Sequence, residues 1–225
     1  MTLKTKTFGA GIFFLLFFCI GLYINNFAFY FSFKILTSLS FVITGFLSFY
    51  ANKEKSEEYT KFAKTILTGL VLSFFADVLL DLFFEIGFGF FFFAEITYFI
   101  ALLKINKPTK KYWIAITILF FAFFFFEYFN PWTNLGILFW PLMVYLFFLI
   151  SNTVISAKQF KSESKVTKFL HFGMMLFLIS DFVLQFKIFT DFSQMAKAWY
   201  GILNGIFYFP GQLLIAYSLS KDFTK

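Results

Sequence analysis

Arginine is absent from this chain, and cysteine and histidine occur once each, as Cys19 and His171. A lone cysteine excludes an internal disulfide and a cysteine-built metal cluster. A lone histidine confines any Ser-His-Asp or Cys-His catalytic group to His171. No serine stands in a nucleophile motif, no metal-ligand cluster is spelled out, and no glycine-rich phosphate loop is present. Charged residues are few, 14% of the total, and all 19 basic residues are lysines. The net charge of +7 does not point to nucleic acid, because the lysines lie in loops between apolar runs, where they mark membrane topology.

What is present is hydrocarbon. Of 225 residues, 60% are hydrophobic, 26% are aromatic and 44 are phenylalanine, and the mean hydropathy is +0.80. A soluble domain of this size cannot hide so much apolar surface. Apolar runs of about 20 residues recur along the whole length, the pattern of membrane-spanning helices. Phenylalanine is so common that a single one carries little functional information. The chain reads as an all-α polytopic membrane protein, a single integral-membrane domain over 1–225. Eight transmembrane helices are expected at about 8–24, 27–50, 63–83, 86–103, 112–128, 132–152, 168–187 and 197–219. Lys4 and Lys6 before the first apolar run resemble the start of a signal peptide. No small-residue cleavage site follows, so the run is read as a retained first helix. Pro141 is expected to kink the sixth span, and Trp113 and Trp132 read as interfacial anchors.

With eight spans, the lysines sort to one side. Lys4, Lys6, Lys53, Lys55, Lys61, Lys64, Lys104, Lys107, Lys110, Lys111, Lys158, Lys161, Lys165, Lys168, Lys221 and Lys225 fall on the side of the termini. The opposite loops hold only Lys187 and Lys197, so the positive-inside rule puts both termini in the cytoplasm, in a bacterial-type cell (inner) membrane.

Within Gly69 to Tyr98, an almost wholly apolar stretch, stand Asp77, Asp81, Glu85 and Glu95. A carboxylate in hydrocarbon costs at least a few kcal/mol unless paired, neutralised or wetted. Asp77, Asp81 and Glu85 are four residues apart, a spacing that one helix presents as a stripe. The segment GLVLSFFADVLL, ending at Leu80, aligns without gaps on GMMLFLISDFVL, ending at Leu184. The echo sets Asp77 and Asp181 four spans apart and in the same direction, as in two parallel four-helix repeats. Asp77 is 13 residues beyond Lys64, and Asp181 is 13 beyond Lys168. Each therefore lies roughly 20 Å from the cytoplasmic edge of the core. Lys34, Glu95, Tyr145, Asn204 and Tyr208 enter from the other side to a similar depth. These residues predict one polar layer in the outer half of the membrane, with Lys34 as partner to one aspartate. His171 lies about 15 Å below Asp181 on the same helix and cannot join it. Asp81 and Glu85 are expected to be solvated at the outer end of the third span, and Glu127 and Asp191 to be loop residues.

The plain reading makes the aspartates structural, hydrogen-bonded across helices. The functional reading uses the low dielectric. A carboxyl in apolar surroundings keeps its proton, while one near an ammonium stays ionised, and the two together form an acid and a base.

The motifs SFFADVLL, FEIGFGFFFFAEITY, WPLMVY, GMMLFLISD and YFPGQLLI, following Lys34 in this order, resemble the YhhN-like lysoplasmalogenase family from the second span to the eighth. Phe84, Gly87, Phe91, Ala94 and Tyr98 match one family motif, whose histidine position here is Glu95. The family's Gly-Asp is Ala76-Asp77, its Ser-Asp is Ser180-Asp181, its last motif supplies Tyr208 and Gln212, and its Lys-Pro appears as Lys34-Ile35. The resemblance implies eight membrane helices and hydrolysis of the vinyl ether bond of lysoplasmalogens, a lysophospholipid-like substrate, without a metal or other cofactor. With the acid–base reading above, Asp77 and Asp181 are the catalytic pair expected for that reaction. Lys34, Glu95, Tyr98, Tyr145, Ser180, Asn204, Tyr208 and Gln212 are then supporting or substrate-binding residues. A small proton-coupled transporter also uses paired intramembrane carboxylates, and a catalytically inactive lipid-binding homologue is the third reading.

The lysine distribution gives the first prediction. Cysteines placed at positions 2 and 224 should resist impermeant labelling from outside intact cells, and labelling at either would reverse the topology.

Overall fold

The structure, a computed structural model, describes residues 3–23, 27–52, 56–105, 107–158 and 165–220. Among these residues there are eight α-helices and no strand. They are α1 (Leu3–Tyr23), α2 (Phe27–Ala51), α3 (Glu57–Leu80), α4 (Phe84–Ile105), α5 (Lys110–Phe129), α6 (Phe139–Ser156), α7 (Lys165–Ile188) and α8 (Gln194–Tyr217). Short 3₁₀ turns, Gly136–Leu138 and Ser218–Ser220, precede α6 and follow α8. Helices α2 to α8 are long and apolar enough to cross a membrane, and the described apolar stretch of α1 is Gly9–Phe18. The chain is an integral membrane protein, an all-α polytopic bundle. Its outer surface exposes side chains such as Phe13, Phe93, Ile118 and Phe129, which suits a hydrocarbon solvent. Position 24 and Lys53, Lys55, Lys161, Lys221 and Lys225, used in the span and lysine counts, lie outside the described residues.

Several helices run past their expected ends. Backbone hydrogen bonding continues beyond the apolar run wherever lysine and glutamate can extend to the interface. α3 thus starts at Glu57, not near 63, and Ser56 caps it by accepting from the Tyr59 N–H at 3.1 Å. Ser193 caps α8 in the same way, through the Ala196 N–H at 3.3 Å.

Two local expectations are overturned. α3 ends at Leu80, so Asp77, Asp81 and Glu85 do not share one helical stripe: Asp81 is the C-cap of α3, and Glu85 opens α4 on an exposed face. The break is tight because of Gly87. A Cβ there would lie 2.4 Å from the Leu80 backbone, so only glycine lets α4 turn back directly on the last turn of α3. Pro141 does not kink α6. It sits in the first turn, where its missing N–H is not needed. Before it, residues 130–135 are irregular, and Gly136 takes φ +49°, in the left-handed region that favours glycine.

Packing follows the chain in hairpins, α1 on α2, α3 on α4, α5 on α6 and α7 on α8. Between hairpins, α2 packs on α8 and α4 on α6. If the first four helices are exchanged with the last four, these two contacts become each other, a pseudo-two-fold pattern that agrees with the echoed segments. The echoed glycines also act alike. The Tyr98 ring of α4 lies where a Cβ of Gly69 would be, and the Gly211 backbone of α8 lies against Gly173. Small residues at such crossings allow the close approach on which membrane helix packing depends.

A Cβ on residue 173 would stand 2.7 Å from the Gly211 carbonyl oxygen and 3.0 Å from the Ile215 nitrogen, atoms that cannot swing aside. Gly173→Ala should therefore destabilise the protein by about 1–3 kcal/mol. Gly89→Ala, with nothing within 4 Å of the new carbon, should leave thermal stability in detergent unchanged or slightly raised. Equal melting of Gly173→Ala and the parent would contradict the close α7–α8 crossing.

Candidate active site

Asp77 stands near the end of α3 and is 2% exposed. Its Oδ2 accepts from the Ser38 hydroxyl of α2 at 2.6 Å and from the Tyr208 hydroxyl of α8 at 2.8 Å. Asp181 stands on α7. Its Oδ2 accepts from the Tyr145 hydroxyl of α6, and its Oδ1 from the Ser180 hydroxyl at 3.2 Å. Each aspartate thus takes a hydroxyl from the helix that precedes its own, so the two halves of the chain build the same relation twice. Three aromatic rings, Phe41, Phe91 and Phe177, surround Tyr208, and Tyr145 packs edge-on against Phe88.

Lys34 pairs with neither of these aspartates. Its Nζ lies 2.8 Å from Asp81 Oδ2, with the two side chains 9% and 17% exposed. Asp81 was expected to be a solvated end residue. The termination of α3 at Leu80 brings it to α2 instead. The Lys34 ammonium still acts on Asp77 electrostatically at longer range.

A cavity of about 270 Å³ opens among α1, α2, α3, α4, α7 and α8, with Lys34, Asp77, Asp81, Asp181, Lys187 and Tyr208 set among apolar side chains in its wall. Since a water needs roughly 10–15 Å³ of such space, the cavity has room for several. A narrower cleft of about 90 Å³ runs among α4, α5, α6 and α7, walled by residues such as Phe88, Phe123, Leu146 and Phe182. Its few polar residues are Asp181, Tyr145, Glu127 and Gln185. Cavity and cleft share Leu80, Phe84, Phe91, Asp181, Leu184 and Ile188. Asp181 is the one ionisable side chain in both walls.

The other expected residues divide. Asn204 borders the cavity and donates to the Ser180 carbonyl at 3.0 Å, while Ser180 also donates to the Phe177 carbonyl at 2.7 Å. Tyr98 and Gln212 border neither space. Tyr98 donates to Gln212 at 3.1 Å, and both approach Ser73 at 3.4 Å, one turn below Asp77. Glu95 was expected in the same layer as the aspartates, but it lines neither the cavity nor the cleft. It is fully buried and faces α6, where Asn152 Nδ2 donates to its Oε2 at 2.7 Å and to its backbone carbonyl at 2.9 Å. Asn152 stands seven residues beyond Tyr145 on α6, so Glu95 meets that helix about two turns from the tyrosine that holds Asp181. The Glu95 Oε1 and the Asn152 Oδ1 are buried without a hydrogen-bond partner among the described residues. His171 meets Ser156 at 3.1 Å, well away from Asp181 along α7. Glu127, expected in a loop, belongs to α5. It is 6% exposed and accepts from Gln185 at 2.8 Å and Thr133 at 3.3 Å at one end of the cleft.

Sequence reasoning passed over Ser38 and Asn152 and gave Asp81 and Lys187 no part in the site. The signal for Ser38 and Asp81 was the four-residue spacing from Lys34 to Ser38 and from Asp77 to Asp81, which sets each pair on one helical face or at its end. Among the described residues no group of three or more His, Cys, Asp or Glu comes together to hold a metal ion.

Compared with known proteins, residues 29–219 match the model of the YhhN family. No curated protein and no solved structure matches the chain.

The Lys34–Asp81 pair generates a prediction. Lys34→Met or Asp81→Asn alone should lower stability by about 1–3 kcal/mol, because each leaves the other partner uncompensated. The double variant should lose less than the sum of the two. Strictly additive losses in thermal unfolding would mean that the pair is not coupled.

Proposed function

The chain belongs to the YhhN family, and from that premise we propose that it is a membrane lipid hydrolase. It cleaves the vinyl ether bond of lysoplasmalogens, releasing a fatty aldehyde and a glycerophospho-base. The observation that carries this reading is the meeting at Asp181 of a cavity that holds five Asp and Lys side chains and an apolar cleft, with Asp77 in the same cavity wall. A lysoplasmalogen has the same division. Its alkenyl chain suits the cleft, its glycerophospho end suits the cavity, and its vinyl ether is the junction between them.

The chemistry needs a proton donor, a water and a proton acceptor. Asp181, whose described hydrogen-bond partners are uncharged hydroxyls, is placed as the acid. It transfers a proton to the alkenyl carbon once removed from the ether oxygen, and the remaining carbon–oxygen unit becomes an oxocarbenium ion. The carboxylate left behind stabilises that cation in a low dielectric. Asp77, on the lysine side of the cavity, is placed as the base that takes a proton from water as the water adds to the cationic carbon. The hemiacetal then collapses: its hydroxyl proton passes to the Asp181 carboxylate, the carbon–oxygen bond to glycerol breaks, and the glycerol oxygen takes the proton held by Asp77, which restores both carboxyls. Tyr145 and Tyr208 hold the two carboxyls in place.

The proposed location is a bacterial-type cell membrane; the lysine bias supports cytoplasmic termini, which would put the site in the outer half of the bilayer.

Purified full-length protein incubated with lysoplasmalogen should release free aldehyde. Asp77→Asn and Asp181→Asn should each lower the rate on the order of 100-fold or more, since asparagine cannot exchange a proton at neutral pH. The double variant should be little worse than either single one, because residues acting as a unit are not additive in rate. Full activity in either single variant would sink the carboxylate-pair mechanism.

A further inference from the structure

Lys187 lies in the last turn of α7, six residues beyond Asp181, and lines the cavity. Its side chain runs along α8 in the space left by Gly201. A Cβ at position 201 would stand 3.4 Å from the Lys187 Cδ, 3.6 Å from its Cε and 3.7 Å from its Nζ. The glycine gives the lysine a track beside the cavity wall. Lys34, the other cation there, is already engaged with Asp81 at 2.8 Å. Lys187 makes no hydrogen bond and no ion pair among the described residues, and Asp81 and Lys34 act on it only at longer range. It therefore presents an ammonium with three unused donors at a half-buried position.

We infer that Lys187 is a phosphate subsite, holding the anionic group of the ligand whose reacting bond lies at Asp77 and Asp181; this rests on the reading of that site as one for a single-chain ether lipid. The spacing is compatible. Six residues of helix span about 9 Å. In a lysoplasmalogen six bonds separate the oxygen-bearing alkenyl carbon from phosphorus, roughly 7–8 Å when extended at ordinary bond lengths. A phosphodiester shares its one negative charge over two free oxygens, so it can meet Lys187 directly and still feel the field of Lys34.

Binding of four probes to the full-length protein in a nonionic detergent tests this. A saturated 1-alkyl lysophosphatidylcholine has the phosphate but no vinyl ether. A 1-alkylglycerol has the chain but no phosphate. Glycerophosphocholine and inorganic phosphate have no chain. Lys187→Gln should bind the alkyl lysophospholipid roughly tenfold or more weakly, the loss expected for a charged hydrogen bond. It should bind the alkylglycerol as the parent does, and Lys187→Arg should retain the phospholipid. If glycerophosphocholine or inorganic phosphate also binds and depends on Lys187, the subsite stands and accepts soluble phosphate. If neither binds while the lipid does, the subsite stands and needs the chain. Unchanged phospholipid affinity in Lys187→Gln, or an equal loss for the alkylglycerol, would overturn the inference. The saturated ether cannot be hydrolysed by vinyl ether chemistry, so this result is independent of whether aldehyde is released.

Discussion

Hydrocarbon offers no hydrogen bonds, so a polar group inside this bundle is costly unless it finds a partner in the protein. That constraint accounts for much of what is seen. On α2, Thr37, Ser40 and Thr44 return their hydroxyls to carbonyls of their own helix. The stronger demands cross between helices. Asp77 draws on α2 and α8, Asp181 on α6, Glu95 on α6, and Lys34 on Asp81 at the end of α3. These bonds are also positional. A phenylalanine-rich interface can slide with little change in contact, whereas a hydroxyl that must meet one carboxyl oxygen holds two helices at one height.

The pairing of the halves gives these bonds their arrangement. The glycines eight residues before each aspartate bring α3 against α4 and α7 against α8. The contacts of α2 with α8 and of α4 with α6 then close the bundle between the halves. The surroundings of the two aspartates differ within this common frame. Asp77 has a tyrosine from the opposite half and a lysine at longer range, while Asp181 has a tyrosine from its own half and an apolar cleft beside it. A near-symmetric scaffold thus holds two carboxyls in unlike settings, the condition under which one can serve as donor and the other as acceptor.

The helices and the two aspartates that meet at one cavity were legible because the signals are strong. Long apolar runs have few other readings, and a carboxylate inside one is conspicuous. What stayed hidden depends on rotation and on tight turns. Glu95 faces α6 and Asn152, away from the aspartates, and nothing in FAEITY states which side of the helix meets which neighbour. Asp81 reads as the next residue along a stripe, yet the helix ends one residue before it because Gly87, seven residues after Leu80, allows the following helix to come so close. Glu127 lies near the end of an apolar run, where a loop and a last helical turn read alike. Lys187 was read as one of two lysines on the sparse side of the membrane, which conceals its place in a cavity wall.

The cleft beside Asp181 has a thermodynamic consequence of its own. A chain that enters it from the surrounding bilayer moves from one hydrocarbon medium into another, and the usual gain of about 0.8 kcal/mol per methylene on leaving water does not apply. Chain length then contributes little to selection except where it exceeds the space available. Discrimination falls to the other end of the molecule, where carboxyls, hydroxyls and ammonium groups replace the hydration that a polar group gives up on leaving the interface. In a protein solvated by lipid, selectivity resides in the part of the ligand that least resembles the solvent.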